Sequence, residues 1–117
     1  MDLFETRFDD ARPFDGYGPG FFRVGGDVVR GDLVLHAGGL AGWDGRDPAP
    51  LVALAGVVDV VLMGTGAEVA HADPALRAAV EGAGIGLEVM STPAACRTYN
   101  VLVGEGRRVA AAVRAVG

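Results

Sequence analysis

Residues 57–66 read VVDVVLMGTG, and the class of fold follows from this stretch and its neighbours. A valine-rich run with a single acidic residue is typical of a strand that is buried on both faces of a parallel sheet. A second, shorter apolar run, LEVM, covers residues 87–90. Segments with helix-start signals alternate with these runs, and that alternation indicates a parallel or mixed sheet with helices packed on it. We therefore expect an α/β fold.

Three dipeptides place a capping residue directly before a proline, which is the usual start of a helix. They are Asp47-Pro48, Asp73-Pro74 and Thr92-Pro93. We predict short helices over residues 48–55, 74–82 and 93–104. A glycine adopts the left-handed conformation that ends many helices at little cost, so Gly56, Gly82 and Gly104 are the predicted ends.

The first forty residues are rich in glycine and aromatic residues. Residues 21–24 and 28–30 flank Gly25-Gly26-Asp27, a pattern that predicts a hairpin with a tight turn. Residues 32–36 continue as a third extended run, and residues 10–20 are interpreted as a long irregular loop. Residues 107–116 fit either a helix or a strand, because their valines have helical spacing while a further strand would complete the sheet.

Composition excludes several classes of protein. The 117 residues predict one domain spanning 1–117, with a net charge of −5 that argues against nucleic-acid binding. The single cysteine excludes a disulfide framework and a multi-cysteine metal site. The acidic start lacks the pattern of a secretory signal, and no apolar run reaches the roughly 20 residues of a membrane span. We expect a cytoplasmic protein with no cofactor, no bound metal and no direct membrane insertion.

Gly64-Thr65-Gly66 follows the valine-rich run, at the end of a strand where open α/β proteins bind ligands. The dinucleotide fingerprint fails, because residue 69 is Val and the next helix begins only near Pro74. Both a ligand-lining loop and a plain tight turn remain open.

Residues 91–100, STPAACRTYN, form the most chemically diverse segment and hold the only Ser, Cys and Asn of the chain. A helix that begins after Thr92 would aim N–H groups toward an anion, and the Arg97 guanidinium suits a carboxylate or phosphate. Tyr99 and Asn100 complete this candidate ligand-binding set, although hydrogen bonds that pin the helix to a loop explain Arg97 and Asn100 equally well.

The remaining candidates have plain alternatives. Cys96 is either a reactive thiol near a helix start or a small buried apolar residue. His36 and His71 lack metal-ligand spacing and are interpreted as surface or loop residues. Trp43 is either a lid on the core or an anchor for a partner. The pairs Asp9-Asp10 and Asp44/Asp47 are interpreted as solvated loop charges.

The order of these motifs resembles the family of domain-of-unknown-function 498, the Mth-type domain proteins. The residues that carry the resemblance are Trp43, Gly64-Thr65-Gly66, Thr92, residues 95–102 and residues 105–112. The resemblance implies a three-layer β/β/α fold with a central mixed sheet of about five strands, an N-terminal β-hairpin layer and three short helices on the opposite side. It also implies that residues 109–116 form a strand.

The same family includes a mitochondrial assembly factor of NADH:ubiquinone oxidoreductase. The resemblance thus implies a non-catalytic interaction or assembly factor, whose protein partners are respiratory-complex subunits or other assembly proteins. Trp43 and the glycine-flanked Tyr17 are the candidate partner contacts. The alternative is a small-molecule protein or enzyme, with an anion pocket between Gly64-Thr65-Gly66 and the helix that starts after Thr92.

Overall fold

The computed structural model describes residues 12–117, and its first layer is a three-stranded antiparallel sheet. The strands, in spatial order, are β1 (Phe14–Gly18), β2 (Phe21–Val24) and β3 (Asp27–Arg30). Gly25 and Gly26 join β2 to β3 with φ angles of 56° and 91°. Two consecutive positive φ angles match the right-handed twist of a hairpin, so the predicted tight turn is confirmed.

The central layer is a five-stranded mixed sheet. Its strands are β4 (Leu33–His36), β5 (Gly39–Gly42), β6 (Val60–Gly64), β7 (Gly86–Met90) and β8 (Val109–Val113), in the spatial order β5-β4-β8-β6-β7. Strand β6 runs parallel to both β7 and β8, whereas β4 is antiparallel to β5 and β8. The α/β class and the five-stranded mixed sheet are therefore confirmed.

Strand β8 occupies the middle of this sheet although it is the last strand of the chain. All five of its residues are buried. The alanines favour a helix locally, but hydrogen bonding to β4 on one side and β6 on the other imposes the extended form. The strand that the family resemblance implies for this segment is thus confirmed, over Val109–Val113.

Two apolar clusters cover the two faces of the central sheet. Helices α1 (Ala49–Val52) and α2 (Pro74–Gly82) pack on one face, with Val61 and Met63 of β6. Helix α3 (Thr92–Gly104) packs on the other face together with the three-stranded sheet and Leu62. The alternation along β6 shows a strand with both faces buried. The expectation that all helices share one side is wrong, because α3 lies beside β1.

The structure contains two strands that the sequence analysis did not predict. Residues 14–18, assigned to an irregular loop, form β1, which pairs with β2 through a register shift between Phe14 and Gly16. Strand β5 was not predicted, because its Gly-Leu-Ala-Gly sequence carries little strand preference. Asp9 and Asp10 lie outside the described residues.

The helix boundaries follow the predicted caps only in part: the N-cap of α1 is Pro48 rather than Asp47, although the Asp47 carboxylate accepts the Ala49 N–H at 2.9 Å. Helix α2 has the predicted bounds, and the Asp73 carboxylate accepts the Ala75 N–H at 3.3 Å. Helix α1 ends at Val52 rather than at residue 55. Helices α2 and α3 end at Gly82 and Gly104, as predicted, but the glycines with positive φ lie two residues further on, at Gly84 and Gly106.

Candidate functional site

The loop after β6 and the start of α3 meet, as their positions in the sequence predicted, and Thr92 joins them. Its backbone N–H donates to the Gly66 carbonyl at 2.7 Å. Its Oγ1 accepts the Gly66 N–H at 2.9 Å and donates to the Arg114 carbonyl at 2.7 Å. We call this set of Gly66, Thr92 and Arg114 the Thr92 junction. It ties together the segments that follow β6, β7 and β8.

Gly64 permits the close approach of α3 to the sheet. A Cβ atom on Gly64 would lie 2.8 Å from Cα of Thr92 and 2.9 Å from Cγ1 of Val113. Real Cβ contacts are not that short, and the Thr92 neighbour is backbone. The glycine does allow a close backbone approach, as the sequence suggested, but the group that approaches is this chain's own helix.

Thr65 organises the loop that follows β6. Its backbone N–H donates to the Met90 carbonyl at 3.0 Å. Its hydroxyl donates to the Glu68 carbonyl and accepts the Ala70 N–H, both at 2.9 Å. The hydroxyl therefore acts as a backbone mimic inside a turn.

The first turn of α3 has used its hydrogen-bond donors. The Thr92 N–H donates to Gly66, Pro93 has none, and the Ala94 and Ala95 N–H groups donate to the Ser91 hydroxyl at 3.3 Å and the Ser91 carbonyl at 2.9 Å. Ser91, rather than the predicted Thr92, is the N-cap. An anion at a helix N-terminus needs free N–H groups, and this turn keeps none.

Asn100 attaches the other end of α3 to β1. Its Oδ1 accepts the Phe14 N–H at 2.9 Å, and its Nδ2 donates to the Phe14 carbonyl at 2.8 Å. The side-chain amide thus forms the same two hydrogen bonds with the Phe14 backbone that a residue of a neighbouring strand would form. This satisfies both backbone groups of Phe14 at the edge of the three-stranded sheet.

Tyr99 fills the space between α3 and the three-stranded sheet. It is fully buried, and its ring meets that of Phe14 edge-on at a centroid distance of 5.4 Å. Among residues 12–117 its hydroxyl has no hydrogen-bond partner. Burial raises the pKa of this phenol. Tyr99 is therefore a packing residue within this part of the chain.

Cys96 lies in the same apolar cluster as Tyr99. Burial raises the pKa of its thiol to about 12, and the Arg97 charge offsets this only in part. A thiol with that pKa carries almost no thiolate at neutral pH, and the thiolate is the nucleophile.

We expect Cys96 of the folded protein to resist a thiol reagent such as 5,5′-dithiobis(2-nitrobenzoic acid) at pH 8. The rate of labelling should rise by more than about a hundredfold in denaturant, because unfolding exposes the sulfur and returns its pKa toward about 8.5. Stopped-flow measurement of the absorbance of the thiolate that the reagent releases gives this labelling rate directly. Rapid labelling of the folded chain would restore the reactive-thiol interpretation.

Arg97 lies apart from the other candidates. Its side chain is exposed on α3, and within residues 12–117 it takes part in none of the hydrogen bonds or ion pairs. Asn100 is committed to β1, and Thr65 to its own loop. The predicted ligand set thus separates into the Thr92 junction with Gly64 and Thr65, the Tyr99–Asn100 contact with β1, and an exposed Arg97.

The two candidate partner contacts differ in exposure. Trp43 is 8% exposed, packs in the cluster under α1 and α2, and donates its Nε1–H to the Asp47 carbonyl at 2.9 Å. Tyr17 on β1 is 44% exposed. In this conformation Tyr17 therefore offers a partner far more surface than Trp43 does.

The histidines and loop carboxylates have local roles. His36 is half-buried at the end of β4, burial lowers its pKa, and its Nδ1 accepts the Gly38 N–H at 3.1 Å. His71 is exposed. Hydrogen bonds from the backbone of Asp47 and Arg46 hold the pKa of Asp44 below its usual value. Within residues 12–117, His, Cys, Asp and Glu side chains form no group of three that could hold a metal ion.

Two structural residues escaped the sequence analysis. The Arg114 guanidinium donates twice to the Gly45 carbonyl, at 3.1 and 2.9 Å. The Asp32 carboxylate accepts the Ala115 N–H at 2.7 Å. Both contacts join segments about seventy residues or more apart, at separations of 69 and 83 positions. No local pattern around Asp32 or Arg114 carries that information.

Comparisons with known proteins agree with this fold. A family model described as "Protein of unknown function (DUF498/DUF598)" matches residues 14–114. An uncharacterized protein from Rhodobacter capsulatus is 52% identical over 110 residues, which cover 93% of this chain and 89% of that one. A crystal structure of a Bartonella henselae protein, described as an outer membrane protein, has a TM-score of 0.83 at 34% identity, covering 91% of this chain and 96% of that one.

A more distant relative is named for a role in assembly. The mouse protein named NADH dehydrogenase (ubiquinone) 1 alpha subcomplex assembly factor 3 is 29% identical over 121 residues, which cover 97% of this chain. The match spans 65% of the mouse protein. Among the described residues, no helix has both the length and the apolar character required to cross a membrane.

Proposed function

Because this chain belongs to the DUF498/DUF598 family of proteins of unknown function, we propose that it is a non-catalytic interaction factor that assists the assembly of a respiratory-chain complex. The proposed partners are subunits of that complex or other assembly proteins, and the proposed compartment is the cytoplasm. The distant similarity to the mouse assembly factor supports the process.

One observation carries the non-catalytic part of this proposal: three polar residues of the most diverse segment, Ser91, Thr92 and Asn100, use their side chains in hydrogen bonds with the chain's own backbone. Thr92 and Asn100 each satisfy backbone groups of distant segments. Cys96 is a buried thiol with a pKa near 12. General acid–base or nucleophilic catalysis needs such groups within reach of a substrate. Here the Thr92 and Asn100 side chains instead join separate elements of the fold by hydrogen bonds.

The proposed partner contact is Tyr17, because the other candidate, Trp43, is mostly buried in the apolar cluster under α1 and α2. Aromatic residues that combine a large ring with a polar group are enriched at the energetic centres of interfaces. Tyr17 has such a side chain, and 44% of the residue is exposed to solvent. Truncation of this side chain removes contact area without disturbing the Thr92 junction.

Gene deletion in the native host tests the function. We expect the deletion to lower the amount of assembled NADH:ubiquinone oxidoreductase on native gels and its activity in membranes, and the wild-type gene to restore both. The Tyr17→Ala variant should restore less than the wild type, whereas Val57→Ala, which truncates another side chain that is 48% exposed, should restore fully. Unchanged assembly and activity in the deletion strain would refute the proposed process.

A further inference from the structure

Strand β7 forms one outer edge of the central sheet, and the backbone groups of two of its five residues face outward. The Gly86 N–H donates to Asp59, and the Met90 carbonyl accepts the Thr65 N–H, so these residues bond toward β6. In a parallel ladder the bonded residues alternate. Glu88 therefore also bonds toward β6, while the N–H and C=O groups of Leu87 and Val89 point away from the sheet.

This edge lacks most of the devices that block strand addition. Natural edges are protected by proline, lysine, bulges or a covering element. Strand β7 contains neither Pro nor Lys, and its pairing with β6 is regular over all five residues. No residue among 12–117 pairs with its outer side. The other edge strand, β5, has glycine at both ends and is four residues long.

Glu88 is the one charged residue of this edge, and it decides which strand can be added. Its side chain is exposed at the centre of β7. In a symmetric antiparallel pair of two copies that sets Leu87 against Val89, Glu88 would face Glu88, and like charges directly opposite each other are destabilising. The edge therefore disfavours a second copy and favours a strand with a cation at that position.

We propose that β7 binds an extended segment of a partner protein as a sixth strand of the central sheet. The segment places Arg or Lys opposite Glu88, with apolar residues on either side that share a face with Leu87 and Val89. Backbone hydrogen bonds to Leu87 and Val89 supply affinity, and the alternating side chains supply specificity. This inference rests on the proposed interaction role, and it names the chemistry of the partner.

The direct test titrates the 15N-labelled full-length chain with the peptide acetyl-Thr-Val-Arg-Val-Thr-amide. We expect shifts centred on the Leu87 and Val89 amides, and slower hydrogen exchange of these two by about tenfold at saturation. The matched peptide with Glu in place of Arg should bind about fivefold more weakly. The Glu88→Arg variant should reverse that preference. Shifts centred elsewhere, or equal affinities for the two peptides, would overturn the proposal.

Self-association gives a second, peptide-free readout. Glu88→Val removes the repulsion, so this variant should form dimers in sedimentation velocity at concentrations where the wild type is monomeric. Adding Val89→Pro should restore the monomer, because the proline removes an outward N–H and spares the ladder with β6. Wild-type dimers that pair through β7 would contradict the proposed occupant.

These measurements separate the two proposals. Selective peptide binding at β7 together with normal respiratory-complex assembly in the deletion strain would refute the assembly role alone. Defective assembly without selective peptide binding would refute the strand-addition site alone.

Discussion

Replacing Tyr99 by Ala is expected to lower the free energy of unfolding by about 4 kcal/mol, which is typical of a fully buried aromatic residue cut back to alanine. Tyr99 is the largest of the fully buried side chains and packs edge-on against Phe14. Its loss opens a cavity between α3 and the three-stranded sheet. Urea denaturation followed by fluorescence and circular dichroism measures the change.

The matched control is Tyr99→Phe. Within residues 12–117 the buried hydroxyl has no hydrogen-bond partner, so its removal eliminates a desolvation cost. We expect the stability of this variant to equal the wild-type value or to exceed it by up to about 1 kcal/mol. A loss of about 2 kcal/mol or more, on the order of a lost buried hydrogen bond, would show that the hydroxyl forms a stabilising contact.

Replacing Thr92 by Val is expected to cost about 3 kcal/mol, because the isosteric side chain keeps the volume and removes the hydroxyl. The change leaves the part-buried Gly66 N–H and Arg114 carbonyl without this partner, and a polar group left unsatisfied on burial costs about 1–3 kcal/mol. Urea denaturation gives the total. Hydrogen exchange at the Gly66 amide reports the local opening of the Thr92 junction.

Thr92→Ser is the control for this second variant. It keeps the hydroxyl and loses a methyl group, so we expect a cost of about 1 kcal/mol. The order of stability should be wild type, then Thr92→Ser, then Thr92→Val. If Thr92→Val proves as stable as Thr92→Ser, the hydrogen bonds of the Thr92 junction contribute little and the packing of the methyl group dominates.

Local chemistry explains which parts of the fold were predictable. The valine-rich strand, the Asp73 cap and the Gly25-Gly26 turn are each specified by residues close together in sequence. The cap and the turn are confirmed, and the strand is confirmed from Val60 onward, whereas Val57 lies before it and is exposed. Strand β1 was missed because its glycines have no intrinsic strand preference and it extends only by pairing with β2. For β8, the residue pattern allowed either a helix or a strand. Hydrogen bonding to β4 on one side and β6 on the other makes this segment a strand.

The candidate site shows the same division. Parallel strands end at one edge of a sheet, so the meeting of Gly64-Thr65-Gly66 with the start of α3 followed from the sequence. The sequence did not predict that Thr92 itself occupies this meeting point. One of the partners of Thr92 is the carbonyl of Arg114, which lies 22 positions away along the chain. The partner of Asn100 is 86 positions away. Distant backbone atoms of this kind leave no signature near the side chain that binds them.

The central place of β8 has a consequence for biosynthesis. During translation the ribosome releases β4 and β5, and later β6 and β7, before it releases the strand that lies between them. Until then, the inner edges of β4 and β6 have no neighbour, and open edges of that kind invite pairing with other chains. The nascent protein thus acquires its sheet in a late step, and a message truncated before residue 109 encodes two half-sheets that cannot join.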